Sequence, residues 1–405
     1  MGDSQTGDTE SVKPMVGTKR EYTLGIWALT LGYFLSYIPY SGLSKALTSG
    51  LLTGGRPVPG PEVLPSAAIS TAITIPVFIT IMGWWRYGRQ RRLLGWKLVF
   101  PRKETIISGI GFTTIILTTT LAYSFSGVSI ILALVLMRAG VLIMSPIIDK
   151  VYQRRVRWFS WAGLLLSLLA LGISFSDIHG YRLSLAAVLN LAAYLTGYAL
   201  RIPSMTRVAK TGSKEVALGY FVEEQAVAMP LLILAPATLA VVGHGEVANQ
   251  LRVGFAYLFH ASHLAFGWTI GFFYAMLGIS LSFIYLDRRE NTFCMPLFAC
   301  SSLLSGIVAS YILLEWAHGP ALNRTQLGSA LVLATALLVM SPLHHLPLYM
   351  KQLRTAIAEE RLVLLRVVDQ NREATSYGVV PETANLVTIN LDAIRGVWGK
   401  ADNRR

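Results

Sequence analysis

The sequence predicts an all-α integral membrane protein: ten transmembrane helices arranged as two inverted five-helix repeats. Three observations lead there. The apolar residues fall in blocks of about 20, the length of helix that crosses a bilayer. Charged residues make up only 14% of the chain and mean hydropathy is +0.52, whereas a soluble domain carries roughly 25% charged residues. The basic residues gather in alternate loops, as orientation in a membrane requires. That pattern accounts for the formal charge of +13 without nucleic acid. The alternating ten-residue pattern of an outer-membrane barrel is absent.

The first 21 residues are polar, with no apolar core, and read as a flexible cytoplasmic N-terminus rather than a signal peptide. The start MGDSQT formally fits a myristoylation pattern through Gly2 and Thr6, which Asp3 and the many spans make idle. Span one, Tyr22–Gly42, leads through a Gly/Pro-rich loop to span two, about Leu64–Trp85. The next loop holds Arg86, Arg89, Arg91, Arg92, Lys97, Arg102 and Lys103, so it is expected in the cytoplasm. Spans three (Thr105–Phe125) and four (Gly127–Ile148) follow each other so closely that they form a helical hairpin. The basic DKVYQRRVR precedes span five, Trp158–Ser176, which reaches the outer side.

Span six, Leu183–Leu200, ends at Arg201 and is followed by a loop with Arg207, Lys210 and Lys214. Span seven is Val216–Val242, and an outer segment, Gly243–His263, leads to span eight at Leu264–Leu286. Span nine, Asn291–Leu314, and span ten, Thr325–Pro342, complete the set, with both termini inside. The tail, residues 351–405, differs in kind. Leu353, Ile357, Leu364 and Val368 give its first part an amphipathic helical face suited to the membrane surface or the loops. Cys294 and Cys300 share one apolar span, so no disulfide framework is implied.

Charges at membrane depth single out the candidate site. Span seven carries Glu223, Glu224 and Gln225 in its first half, and span four carries Arg138 near its centre. An arginine there costs about 2.5–3.5 kcal/mol or more unless paired or hydrated. The simplest pairing is Arg138 with Glu223 or Glu224, either as an ion pair that fixes packing or as part of a substrate pathway. In the second case Arg138 binds a carboxylate or phosphate while one Glu competes for it or takes up a proton. Successive helix residues point about 100° apart, so the two Glu side chains cannot share one partner squarely. Pro230 and Pro236 in the same span each remove a helix hydrogen bond, so the helix can bend.

Polar stripes add to the candidate set. Asn190, Tyr194, Tyr198 and Arg201 follow one another on one face of span six, and Tyr33, Tyr37, Tyr40 and Ser44 on one face of span one. Deep in the membrane, Tyr37, Asn190 and Tyr194 either line a cavity or pack between helices. Ser301, Ser302 and Ser305 read as small residues that permit close helix approach. His260 and His263 lie one turn apart with His244 upstream, and His344–His345 at the other side, but no HExxH or histidine box exists. No metal and no cofactor are expected. Asn323 begins a sequon on the expected outer side, relevant only in a glycosylating compartment.

The two halves can be overlaid. Ala133–Ile147 lies against Pro296–Ser310, and Trp161–Ser174 against Gln326–Ser341, matching Gly163 with Gly328. Five spans is odd, so the second copy, residues 183–345, runs opposite in the membrane to the first, residues 22–176. Inverted repeats are typical of secondary transporters, with substrate held between the halves.

On these residues, and on GVSIILALVLMRAGVLIMSPIIDKVYQRRVRWFSWAGLLLSLLALGISF and NTFCMPLFACSSLLSGIVASYILLEWAHGPALNRTQLGSALVLATALLVMS, the chain resembles the drug/metabolite transporter superfamily in its EamA-like form. The resemblance covers about residues 22–345. It implies solute movement by alternating access, and an acidic residue after the fourth span of a repeat, where Asp149 and Glu315 stand. The expectation is therefore a secondary transporter, not an enzyme, for a small polar or anionic metabolite, in a bacterial inner membrane. A flippase for a lipid-linked or amphipathic substrate is the nearest alternative; a membrane-embedded enzyme or a non-transporting scaffold is the other. The partners implied are the lipid bilayer and a small-molecule substrate, without nucleic acid; proton coupling and a homodimer stay open.

Overall fold

Apolar blocks with helix-compatible small residues give long helices here, and their packing positions the site. The computed structural model describes residues 19–93, 96–122, 130–176, 185–208, 213–258, 264–317 and 324–341. The unit Pro342–Arg405 lies outside the described residues, as do residues 1–18 of the N-terminal segment expected over 1–21 (19–21 belong to the first helix), the amphipathic tail helix, Asn323, His260, His263, His344 and His345.

Among the described residues the chain forms eleven α-helices: α1 Lys19–Thr48, α2 Gly60–Ile81, α3 Lys103–Ala122, α4 Ile130–Val151, α5 Trp158–Ser176, α6 Leu185–Val208, α7 Lys214–Val242, α8 Glu246–Ala256, α9 Leu264–Tyr285, α10 Asn291–Ala317 and α11 Arg324–Met340. All but α8 overlap the ten apolar segments of the sequence, with α6 running on past Leu200 to Val208. Five of them, α2, α5, α7, α9 and α10, are long and apolar enough to cross a membrane. The protein is thus an all-α protein with the helices of a membrane protein. Two connectors differ from the expectation of plain loops. The basic loop holds a 3₁₀ turn, Trp84–Tyr87, and an antiparallel hairpin of β1 Gln90–Leu93 and β2 Trp96–Val99. The segment after α7 contains α8, which follows Gly245 at φ 95°, a left-handed backbone that glycine adopts without a Cβ clash.

Helix contacts come in matched pairs when the long helices are taken as two sets of five in chain order. α3 packs on α6 as α9 packs on α1; α3 packs on α7 as α9 packs on α2; α4 packs on α6 as α10 packs on α1. α2 with α7, α4 with α10 and α5 with α11 join the two sets directly. The connectors obey the same exchange: the 3₁₀ turn after α2 leans on α7, and α8 after α7 leans on α2. The contact of α5 with α10 has no comparable counterpart between α11 and α4.

Glycine allows a close crossing from both sides of the α3–α6 contact. A Cβ on Gly111 would come within 2.6 Å of the Gly197 carbonyl oxygen, and one on Gly197 within 2.9 Å of the Gly111 carbonyl oxygen. α3 and α6 therefore touch backbone to backbone, as small residues allow in membrane bundles. The α4–α5 turn is tied to the start of α10. Asp149 takes the N–H of Asn291 (3.0 Å) and of Thr292 (2.7 Å) and their side chains, so a residue at the end of α4 caps the N-terminus of α10.

Candidate functional site

The site begins on α7, where every residue from Leu218 to Gln225 is buried. At that level the helix is surrounded on all sides, so neither glutamate can turn to lipid or solvent and each must find its own partner. Ser213 caps the helix by accepting from the Val216 N–H at 3.3 Å.

Glu224 binds Arg201 of α6 through two parallel bonds, Nε–Oε1 2.8 Å and Nη2–Oε2 3.1 Å, with both side chains fully buried. Ser108 of α3 donates to Oε1 at 2.5 Å and Gln225 to Oε2 at 3.2 Å, while Arg201 Nη2 also donates to Ser282 of α9 at 2.8 Å. The guanidinium lies 4.2 Å from the Phe112 ring centroid. One buried pair thus ties α3, α6, α7 and α9. Among the described residues, buried Arg201 Nη1, Gln225 Oε1 and the Tyr285 hydroxyl have no hydrogen-bond partner.

Glu223 turns to the other side of α7 and works on backbone. Its oxygens accept the N–H groups of Arg89 and Arg102, each at 3.1 Å, and the Thr105 hydroxyl at 3.1 Å; Arg102 Nε lies 3.4 Å away. It closes the base of the β-hairpin and satisfies the start of α3. The expected pairing of Arg138 with Glu223 or Glu224 is therefore not what the structure has. Arg201, placed by the sequence at the end of span six, lies well inside α6, which runs on to Val208. It is the nearer cation and takes Glu224.

Arg138 is 7% exposed and, among the described residues, has no carboxylate within ion-pair distance. Its Nη1 donates to the Tyr194 hydroxyl at 3.3 Å, and its guanidinium lies 4.2 Å over the Phe298 ring. The face of a ring carries partial negative charge, which offsets part of the cation's cost. Aromatic rings continue from there: Phe298 to Tyr33 (5.5 Å), Tyr33 to Tyr37 (5.6 Å), Tyr37 to Tyr40 (5.4 Å) and Tyr40 to Tyr274 (5.1 Å). On the α6 side Tyr194 contacts Tyr198 at 5.0 Å and Tyr198 contacts Tyr285 at 6.2 Å.

The tyrosine stripes of α1 and α6 thus converge on Arg138, together with Tyr274 and Tyr285 of α9, which the sequence reading did not single out. A shared one-turn spacing with the polar stripes was the signal for Arg201; for Ser108, Ser282, Tyr274 and Tyr285 only their depth in apolar blocks marked them. Asn190 is used otherwise: its Nδ2 donates to the Thr118 carbonyl at 3.0 Å, joining α6 to α3. Ser305 donates to the Phe34 carbonyl at 3.1 Å, and the buried Ser301 hydroxyl has no partner among the described residues. Asp149 serves as the α10 cap, and Glu315 is exposed. Among the described residues no group of His, Cys, Asp and Glu is arranged to hold a metal ion.

A cavity of about 60 Å³ lies at the end of the tyrosine row, lined by Tyr40, Tyr274, Ser44, Thr71 and apolar side chains including Leu64, Ile116, Leu232 and Ile270. That is room for a few waters. Its walls come from α1, α2, α3, α7 and α9.

Compared with known proteins, the chain matches no family model and no curated protein. A solved structure described only as "Crystal structure of protein" is similar to it at TM-score 0.47 and 16% identity, over 78% of this chain and 99% of that one. A likeness at that level names neither a family nor an activity.

Proposed function

We propose that the chain is a ten-span secondary transporter that moves a small anionic metabolite by alternating access between two inverted repeats, in the EamA-like manner that its sequence resembles. The observation that carries this is Arg138. Among the described residues the other buried charges are compensated: Glu224 by Arg201, Glu223 by Arg102, Glu290 by Arg157, and Asp149 by the N-terminus of α10. Arg138 alone has only a tyrosine hydroxyl and a ring face. A cation at such depth is costly and marks a substrate pathway, and an anion completes it. The exchange of helix contacts between the two sets of five supports the repeat, since an odd-numbered repeat related by such an exchange runs in opposite directions. Under this reading both termini face the cytoplasm of the cell membrane that holds the protein.

Flux into proteoliposomes, measured against a panel of anions with and without a pH gradient, tests the reading. Transport of an identified anion that Arg138→Ala abolishes supports it; transport unaffected by Arg138→Ala refutes the site. A flippase for an amphipathic substrate is favoured by one feature, the apolar lining of the cavity beside Tyr40 and Tyr274. A scramblase assay with labelled lipid separates the two readings.

A further inference from the structure

We propose that the β-hairpin between α2 and α3, with the arginines around it, is a binding site for the headgroups of anionic phospholipids. The hairpin's position follows from its neighbours. α2, which can cross a membrane, ends at Ile81, and α3 begins at Lys103. Strands of four residues reach only about 13 Å from their base, so both strands stay within the headgroup zone.

Its base is fixed and its outer face is free. Glu223 holds the N–H groups of Arg89 and Arg102, and the Phe100 N–H donates to the Arg89 carbonyl at 2.7 Å. Gly88 lies against both Val222 of α7 and Val99, so the Val99 side of the hairpin faces the helix. The register pairs Arg91 with Leu98 and Gln90 with Val99. Side chains alternate along a strand, so Leu98, Arg91 and Phe100 lie on the side away from α7. Leu98 is 51% and Phe100 47% exposed, and Arg91 stacks 4.3 Å over the Phe100 ring. Apolar side chains bracketed by arginine in this zone match a surface that dips into a bilayer while its cations meet the headgroups.

Charge selects the lipid. From Arg86 to Lys103 the sequence has no acidic residue. Among the described residues Arg86, Arg89, Arg91 and Arg92 have no carboxylate within ion-pair distance, and Arg102 alone in the run reaches one. An acidic protein segment would satisfy the charge but not the exposed Leu98 and Phe100, which lipid satisfies at once. The inference rests on the membrane location of the helices and is independent of what, if anything, is transported.

The experiment uses the full-length protein, exchanged from detergent into mixtures of phosphatidylglycerol and phosphatidylcholine, with bound lipid counted by native mass spectrometry. A fluorophore at Leu98→Cys reports the hairpin, because Cys294 and Cys300 are buried. Phosphatidylglycerol is expected to be retained over phosphatidylcholine. Brominated phosphatidylglycerol should quench the label more than its zwitterionic counterpart. Arg91→Gln, on the face away from α7, should lower the preference by about fivefold, as loss of one interfacial charge implies, and Arg92→Gln, which alternates to the α7 side of the strand, by less. These neutral exchanges lie on exposed strand positions and leave the Glu223 clamp intact, so folding is not at issue. Equal retention of the two lipids, or a preference that both exchanges leave unchanged, overturns the proposal; an acidic protein partner in place of lipid would give that result.

Discussion

Arg201 and Glu224 meet as a fully buried, two-bond ion pair between α6 and α7, 2.8 and 3.1 Å long. Ser108, Gln225 and Ser282 take up further lone pairs and protons around it. Two charges leave water at considerable cost, and the geometry offsets that cost only while both are present. The pair is therefore a contact between helices whose loss from one side leaves a bare charge in the interior.

Single replacement of either partner should destabilise the protein strongly. Glu224→Gln or Arg201→Met is expected to cost about 3–5 kcal/mol, read as a lowered unfolding midpoint in detergent. The double replacement Arg201→Met with Glu224→Leu should be milder than either single one, because it leaves no unpaired charge.

Under the proposed transport reading, Tyr194 and Arg138 predict a separation between stability and transport. Tyr194→Phe removes one hydrogen bond, worth about 1 kcal/mol, and keeps the ring that packs on Tyr198. The unfolding midpoint should hardly move, while the KM for the transported anion should rise by up to about tenfold. Arg138→Ala, by contrast, should abolish flux without lowering stability, since it removes a cation that has no buried counter-ion.

Glu290 sets an acid limb to stability. Burial pushes its carboxyl pKa up, but the Arg157 fork (2.9 and 3.1 Å) and the Ser160 hydroxyl (2.7 Å) outweigh burial and hold it below its usual 4.5. A carboxyl lowered in the folded state adds stability above its unfolded value. That contribution is lost as pH falls through the lowered folded value. Thermal unfolding followed from neutral pH downwards should show a loss setting in below about pH 5, and Glu290→Gln should flatten it.

Asp149 should behave as a cap and nothing more. Asp149→Ala leaves the Asn291 and Thr292 donors buried, and is expected to cost about 2 kcal/mol or more. Asp149→Asn, which keeps an acceptor, should cost less. If the chain transports as proposed, both should leave the KM of the solute unchanged in the protein that remains folded.

Most of the helices were legible in the sequence because a block of apolar residues about 20 long has few other uses. Trp158–Ser176 is the same in both descriptions, and α7 differs by two residues at its start. The end of α6 was not legible. Arg201 looks like the border of a membrane span when hydropathy decides, yet Ile202 and Met205 beyond it are buried, and the polar stripe carries the helix on. The partner of Glu224 was missed for the same reason. Sequence gives the depth of a charge along its helix but not the direction it faces, and two arginines were available to two glutamates. The hairpin was hidden differently: QRRL and WKLV are short, basic strands held in place by Glu223, a residue more than 120 positions away. The convergence of tyrosines on Arg138 was half visible, in the stripes on spans one and six; the third side of that enclosure, from α9, needed the packing.

The two adjacent carboxylates of α7 restrict how that helix can move. Glu223 is anchored outward to the hairpin backbone and Glu224 inward to Arg201, on headings about 100° apart. Rolling α7 about its own axis would tear one anchor or the other loose, whichever way it turned. Tilting or sliding along its length, with hairpin and α6 in tow, breaks neither. Rotation is locked, and α7 is left with the freedoms of a piston carried between two guides.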